Sequence, residues 1–337
     1  MHYSTTLTGT EPIVITIGNF DGIHKGHQGL MREVRTLAEK LNSRPVFVTF
    51  QPHVLKVLRP EIDLRCLTTL DEKLALARIY GGIADSIVIE FTPEVAAMSA
   101  TAFLDTLRAQ FDLRGMVVGE NFSLGHNRMG NVAFLQEYGK QHNIKVQPIQ
   151  LEEIQYQKVS STRIRNQVSA GNVAEARKLL GYPVMLNGRV VRGDQRGRLL
   201  GFPTANLIPP ADKLIPANGV YAARVLVKQK QAQSDVVHSP CVYTGASIDG
   251  NETLEQWDTY NGAVNIGVRP TFDGQKLLVE AHVLDVEEVD LYDQCISIHF
   301  IERLRSEQRF AGIEALKAQI AEDVRKARLL LQKDGHE

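Results

Sequence analysis

This sequence is poor in cysteine, has a single tryptophan, and contains neither a long apolar run nor a block of like charge. Its three cysteines, Cys66, Cys241 and Cys295, are far apart, and none forms a C-x-x-C pair. That spacing argues against a disulfide framework or a zinc site and reads as three ordinary thiols in a reducing compartment. No stretch approaches the roughly 20 apolar residues of a membrane helix, so no membrane partner is expected. The opening residues, MHYSTTLTGTEPIVITIG, lack a basic start and carry only a five-residue apolar run, unlike a secretory signal. The resulting expectation is a cytoplasmic protein. With 38 basic and 39 acidic residues the net charge is −1, which gives no electrostatic reason to expect a nucleic acid partner. Small anionic substrates stay compatible, because a local site can be positive on a neutral protein. The expected assembly is a monomer or weak oligomer.

What is present is two kinds of pattern in one 337-residue chain, a length that favours two domains. In the first half, short β-branched runs alternate with helical periodicity. IVITI (13–17), VFVTF (46–50), SIVIEF (86–91), GMVVGE (115–120) and IKVQPI (144–149) read as strands. The stripe Leu30, Met31, Val34, Leu37, Ala38 and Leu41, and the segment Leu70 to Tyr80, read as helices. Such alternation implies a Rossmann-like α/β domain, a parallel sheet with helices on both faces and its ligand at the carboxyl ends of the strands. Short helical pieces at 161–169 and 172–180 follow. After Gly181-Tyr182-Pro183 the pattern turns to strands: 184–190, 220–227, 263–268, 277–285 and 295–301. These suggest a small β-barrel. A last amphipathic helix presents Ile313, Leu316, Ile320, Val324 and Ala327 to it. The expected domains are therefore 1–182 and 183–337.

The first strand ends in GNFDGIHKGHQG (18–29), with Gly18, Gly22 and Gly26 where a strand turns into a helix. Glycine permits close backbone approach to a phosphate, and free amides at a helix start favour an anion. His24 and His27 are three residues apart and share a helical face. From there they can donate hydrogen bonds to charge developing on a phosphorus. A glycine-rich turn with two incidental histidines fits the same residues. The dinucleotide fingerprint G-x-G-x-x-G is absent, because Phe20 stands where its second glycine would fall, and no Walker loop is present. Further on, Ser160, Ser161, Thr162, Arg163 and Arg165 fall within six residues. They can neutralise and hydrogen-bond a triphosphate, or form a helix cap followed by a solvated basic face.

In the second half, Gly201-Phe202-Pro203-Thr204-Ala205-Asn206 combines a permissive glycine, a fixed proline and two oxygen-bearing side chains. In an extended segment Thr204 and Asn206 point the same way, and their oxygens suit a hard cation such as Mg²⁺. A turn with local self-bonding is the alternative. Glu280 is a carboxylate within the apolar run LLVEAHVLD. It shares a face with His282 and Leu284, opposite Val279, Ala281 and Val283. It either lines a site or faces solvent.

G-x-F-D-G-x-H-x-G-H early in the chain, F-x-P-H at Phe50 to His53 and S-S-T-x-I-R at 160–165 resemble the nucleotidyltransferase superfamily. More narrowly, they resemble the FMN adenylyltransferase half of bacterial bifunctional riboflavin kinase/FAD synthetases. G-F-P-T-A-N, NIGVRPTF (265–272) and VEAHVLD resemble the riboflavin kinase half. The resemblance implies two reactions, phosphorylation of riboflavin to FMN and adenylylation of FMN to FAD, with ATP as co-substrate in each and Mg²⁺ held at Thr204 and Asn206. It implies catalytic roles for His24, His27 and Arg165 in one half and for Glu280, as general base, in the other. ATP would be bound by Gly18, Phe20, Asp21, Gly22, Gly26, Ser160, Ser161, Thr162 and Arg163, and in the second half by Gly201, Pro203, Thr204 and Asn206. Flavin would meet Pro52, His53, Asn121, Phe122 and Arg269. The chain departs from the family pattern at Asn121, Leu124 and Val54. About 20 additional residues, roughly 238–260, precede NIGVRP and read as a surface insertion. Other readings of the chain are a protein active only as the kinase, a non-catalytic flavin-binding protein, and a nucleotidyltransferase for another substrate.

Overall fold

A computed structural model describes residues 1–7, 9–150, 153–154, 157–191, 204–229, 257–271, 274–285 and 291–334. Two compact units divide between Ser161 and Thr162.

The first unit runs β1 (Tyr3–Thr5), β2 (Ile13–Ile17), α1 (Lys25–Lys40), β3 (Arg44–Gln51), α2 (Val54–Leu58), α3 (Leu70–Gly81), β4 (Asp85–Glu90), α4 (Pro93–Ala97), α5 (Ala100–Gln110) and β5 (Leu113–Gly119). It continues through the small ladder β6 (Ser123–Leu124) and β7 (Gly130–Asn131), then α6 (Val132–Gln141), β8 (Lys145–Ile149), and the pair β9 (Glu153–Ile154) and β10 (Gln157–Lys158). The main sheet has the order β1-β4-β3-β2-β5-β8. Strands β2, β3, β4, β5 and β8 are parallel, as the strand–helix alternation requires. The antiparallel edge strand β1 is an addition to the expected sheet. All three of its residues are exposed, so it carries no apolar alternation by which sequence could mark it.

The core explains the layering. Ile13, Ile15 and Ile17 pack with Val46, Val48, Ile87 and Ile89 against Phe103, Leu104 and Leu107 of α5 and Leu135 and Tyr138 of α6. The other face is covered by α1 through Leu30, Met31, Val34, Leu37 and Ala38, with α3 beside it. Local signals set the helix starts. Thr69 and Glu72 form a capping box at α3, Thr92 with Pro93 opens α4, and Ser99 and Asn131 cap α5 and α6. Strand β2 has β3 on one side and β5 on the other. The strand order reverses there, so the crevice of an open α/β sheet falls at the carboxyl end of β2.

The second unit begins with α7 (Ser161–Ser169, its first residue belonging to the first unit) and α8 (Val173–Leu180). Then come β11 (Val184–Val191), β12 (Thr204–Leu207), β13 (Gly219–Lys228), β14 (Trp257–Thr271), β15 (Gly274–Val283), β16 (Cys295–Arg305) and α9 (Ile313–Asp334). The strands close into an antiparallel barrel in the order β11-β12-β15-β14-β13-β16. Tyr221, Ala223, Val225, Val264, Ile266, Val279, Ala281, Ile296, Ile298 and Phe300 are fully enclosed, and the Tyr221 and Phe300 rings meet edge to face at 5.5 Å. Helix α9 seals one flank with Val324, Ala327 and Leu331 against Ala222, Ala263, Leu284 and Ile301. Its buried face starts later than the sequence suggests. Ile313 is 60% exposed, because the helix reaches the barrel only in its later turns. A chelating Arg305–Asp323 pair fixes it, with guanidinium–carboxylate distances of 2.8–3.0 Å.

Two further sequence expectations change. Trp257 through Tyr260 are not loop: they extend β14 and pair with Val225 through Lys228. The rest of the insertion, 238–256, lies outside the described residues. Cys66 is outside any disulfide, but Cys295, buried beside Leu226 and Trp257, is disulfide-bonded, against the expectation of three ordinary thiols. Cys241 lies outside the described residues.

Candidate active sites

The segment after β2 is forced into a tight turn. Phe20, Gly22 and Ile23 have φ of 50°, 84° and 30°, which glycine adopts freely and the other two only under constraint. The constraints are visible. Phe20 is buried with its ring edge against Phe47 at 5.8 Å and His27 at 5.1 Å. The Asp21 carboxylate accepts from the Thr68 amide at 3.1 Å and the Thr68 hydroxyl at 3.2 Å. The Thr68 hydroxyl accepts in turn from the Gly22 amide at 3.2 Å. Both Asp21 and His24 are almost fully buried.

His24 is the N-cap of α1, not a helical residue: its Nδ1 accepts from the His27 amide at 3.3 Å. The two imidazoles nonetheless share a face. Their rings stack with centroids 3.5 Å apart and 16° between planes. Gly26 makes room for this, since a Cβ there would stand 3.3 Å from the His24 ring. His27 is half-buried as a residue, but its Nδ1 is closed to solvent and has no hydrogen-bond partner among the described residues. Burial first, then His24 and Lys73, holds the His27 imidazole well below its ordinary pKa. His27 is therefore neutral at pH 7, able to present one N–H and one lone pair.

Ser161, at the start of α7, donates to the Asp21 carbonyl at 2.8 Å. The contact spans 140 residues, joining the serine segment to the glycine turn. Thr162, Arg163 and Arg165 continue along α7, the arginines half-buried and Thr162 exposed, and Ser160 precedes it. On the opposite side, Asn19 Oδ1 accepts from the Val54 amide at 3.2 Å. That bond places Pro52 and the buried His53, which caps α2, beside the turn. Asn121 and Phe122 follow β5 at the same carboxyl end, with Asn121 exposed and Phe122 packed on the core. The glycine turn, Pro52, His53, Asn121, Phe122 and Ser161 thus gather where strand order reverses, in an arrangement suited to a polyphosphate: amides, stacked imidazoles and a hydroxyl.

In the barrel, Asn206 is paired with Glu280 across β12 and β15, and Thr204 with His282. Glu280 is also paired with Asn265 across β15 and β14. Directly opposed residues share a face, so Asn206, Glu280 and Asn265 form a polar row across three strands. Val279 and Ala281, the neighbours of Glu280, are fully buried, while Glu280 and His282 are half-buried. The expected alternation holds up to Val283. Leu284 departs from it and packs under α9. Asn206 is 5% exposed and Thr204 half-buried. Hydroxyl and carboxamide oxygens at these positions have the hardness a magnesium ion requires. Gly201 and Pro203 lie outside the described residues. Arg269 lies on β14, and its side chain is likewise outside them.

Two residues at these sites were not singled out by sequence. Asn265 enters through strand register, which a single sequence does not display. Lys73 is buried in α3 with its Nζ 3.2 Å from Thr49 Oγ1. Its signal was available: it lies in phase with the apolar residues Leu76 and Ala77.

A glycine turn at the switch point of an α/β sheet, followed by a closed barrel with a polar row, defines a two-part, nucleotide-handling enzyme class. Comparison with known proteins makes the assignment specific. The FAD synthetase family model matches residues 7–163, and the riboflavin kinase model matches 180–331. A bifunctional riboflavin kinase/FMN adenylyltransferase of Pseudomonas fluorescens is 34% identical over 96% of this chain and 94% of its own length. The protein of that name from Escherichia coli K12 is 35% identical over 94% and 92%. Among solved structures, a Streptococcus pneumoniae protein described as a macrolide-efflux protein superposes with TM-score 0.80 at 27% identity, covering 96% of both chains. The chain belongs to the bifunctional riboflavin kinase/FMN adenylyltransferase family. Among the described residues, no helix is long and apolar enough to cross a membrane.

Proposed function

We propose that this enzyme converts riboflavin to FMN in residues 183–337 and FMN to FAD in residues 1–182, using ATP in each step. The observation that carries the reading is the presence, in one chain, of both residue sets on both matched domains.

In the kinase step the ribityl 5′-hydroxyl oxygen bonds to the γ-phosphorus of ATP, the bond from that phosphorus to the β-bridging oxygen breaks, and ADP leaves. Glu280 accepts the hydroxyl proton. Thr204 and Asn206 bind the phosphate end, together with Gly201 and Pro203. Mg²⁺ held there supplies charge neutralisation on the phosphates. Arg269 is assigned to flavin binding.

In the adenylyl step an FMN phosphate oxygen bonds to the α-phosphorus of ATP, the bond to the β-phosphate breaks, and pyrophosphate leaves. His24 and His27 donate to the phosphate oxygens as charge shifts, with Arg165 as a cationic partner. The backbone from Gly18 to Gly26, with Phe20 and Asp21 shaping it, cradles the triphosphate. Ser160, Ser161, Thr162 and Arg163 complete it. Pro52, His53, Asn121 and Phe122 contact FMN. Most of the acceleration comes from positioning and preorganised charge rather than covalent catalysis.

The enzyme works in the cytoplasm as a monomer or weak oligomer, with small molecules as its partners. Purified protein incubated with riboflavin, ATP and Mg²⁺, with flavins resolved by chromatography, should yield FMN and then FAD. FMN alone would leave a kinase, and no product would leave a binding protein.

A further inference from the structure

Lys73 stands where a lysine is costly. It lies in the first turn of α3, at the positive end of the helix, and is 4% exposed. Burial penalises an ammonium, and a helix N-terminus repels it. Its hydrogen-bond acceptor among the described residues is Thr49 Oγ1 at 3.2 Å, one bond from a group with three donors. The Thr49 hydroxyl, itself fully buried, donates onward to the Asn19 carbonyl at 3.1 Å. Asn19 Oδ1 then accepts from the Val54 amide at 3.2 Å. One relay therefore runs from Lys73 into the glycine turn and on to the segment at Pro52 and His53. Other residues of the same site act on Lys73 electrostatically. Asp21 and Cys66 favour its charge against burial, which lowers its pKa.

We propose that Lys73 is a positioning residue of the adenylyl-transfer half, a buried cation that fixes Asn19 in the glycine turn through Thr49 and sets the field at the stacked His24–His27 pair. The inference rests on the reading of residues 1–182 as an FMN adenylyltransferase. A fixed positive charge behind the turn favours a bound polyphosphate without reorganisation during the reaction. It also disfavours a second cation on His27, whose pKa is held down by burial, His24 and Lys73 in that order. The charged and titratable groups of this cluster are His24, His27, Lys73, Asp21 and Cys66.

The test uses the full chain, with two readouts: FAD formation from FMN and ATP, and the His27 titration followed by histidine-resolved NMR. Lys73→Met should raise the His27 pKa and lower kcat for FAD formation about tenfold or more, the scale of losing one preorganised electrostatic partner. Riboflavin phosphorylation should stay unchanged, and Lys73→Arg should restore both readings. Thr49→Val breaks the relay but keeps the charge, so it should lower kcat and leave the His27 titration in place. A folded Lys73→Met protein that titrates His27 as the wild type does, or forms FAD at the wild-type rate, overturns the proposal. If Lys73→Met does not fold, Thr49→Val and Lys73→Arg decide. Wild-type FAD kinetics in Thr49→Val, or lost FAD formation in folded Lys73→Arg, overturns it. A wild-type enzyme that forms no FAD would defeat the functional reading instead, and the NMR titration would still report on Lys73.

Discussion

At the scale of single residues, the two sites depend on opposite uses of polarity. Burial, then His24 and Lys73, holds the His27 pKa well below its ordinary value, so it can donate to a phosphate without adding a charge that must be neutralised when the site is empty. Glu280 sits in a polar row between Asn206 and Asn265 and is the residue we propose as general base of the kinase reaction. Glu280→Gln keeps the shape and removes the base. It should lower kcat for riboflavin phosphorylation by about 10²–10⁴, the usual worth of general base catalysis. FAD formation from supplied FMN should be unaffected, and steady-state assays of the two half-reactions check this. These residues differ in how legible they were. His24, His27, Thr204, Asn206 and Glu280 stand out as unusual residue types in short patterns. Asn265 does not, because its meaning comes from a cross-strand register. Lys73 was legible only as a lysine in apolar phase on a helix, a pattern that a snorkelling surface side chain also produces.

At the scale of elements, periodicity located every main strand of the parallel sheet; β2, β3, β4 and β5, largely buried, read as near-continuous apolar runs. It did not mark β1, whose residues are all exposed, nor show that Trp257 opens a strand. It also placed Ile313 on the buried face of α9, since an amphipathic stripe does not reveal where a helix first meets its support. The later turns carry the docking. Leu331 is fully buried there, and Leu331→Ala should destabilise the barrel unit by about 2–5 kcal/mol, read from denaturant unfolding. Strand β16 adds a pH dependence. His299, with Nε2 closed to solvent, has its pKa pushed down to about 4 from 6.5 by burial and then by Arg177 on α8. The folded state therefore disfavours the proton that the unfolded chain accepts. The corresponding stability is complete above about pH 6.5 and is lost as pH falls towards 4. It amounts to on the order of 3 kcal/mol at ~1.4 kcal/mol per pKa unit. The difference in unfolding midpoint between wild type and His299→Leu should be constant above that window and shift in favour of the variant as pH falls through it.

At the scale of the whole molecule, the chain joins an open α/β sheet, whose crevice follows from strand order, to a closed barrel, whose polar row follows from register. Both fold classes were readable from the switch in hydrophobic period near residue 183. The glycine turn reads as a phosphate site only once β2 is placed at the switch point and Ser161 is found bonded to Asp21. The central claim is that the two reactions occupy separate sites, and reciprocal variants test it most directly. Full-length Asn206→Ala and His27→Ala would each be assayed for riboflavin phosphorylation and, with FMN supplied, for FAD formation. Asn206→Ala should lose FMN formation and still turn supplied FMN into FAD, while His27→Ala should make FMN and fail to make FAD. Loss of both activities from either folded variant would contradict the two-site account.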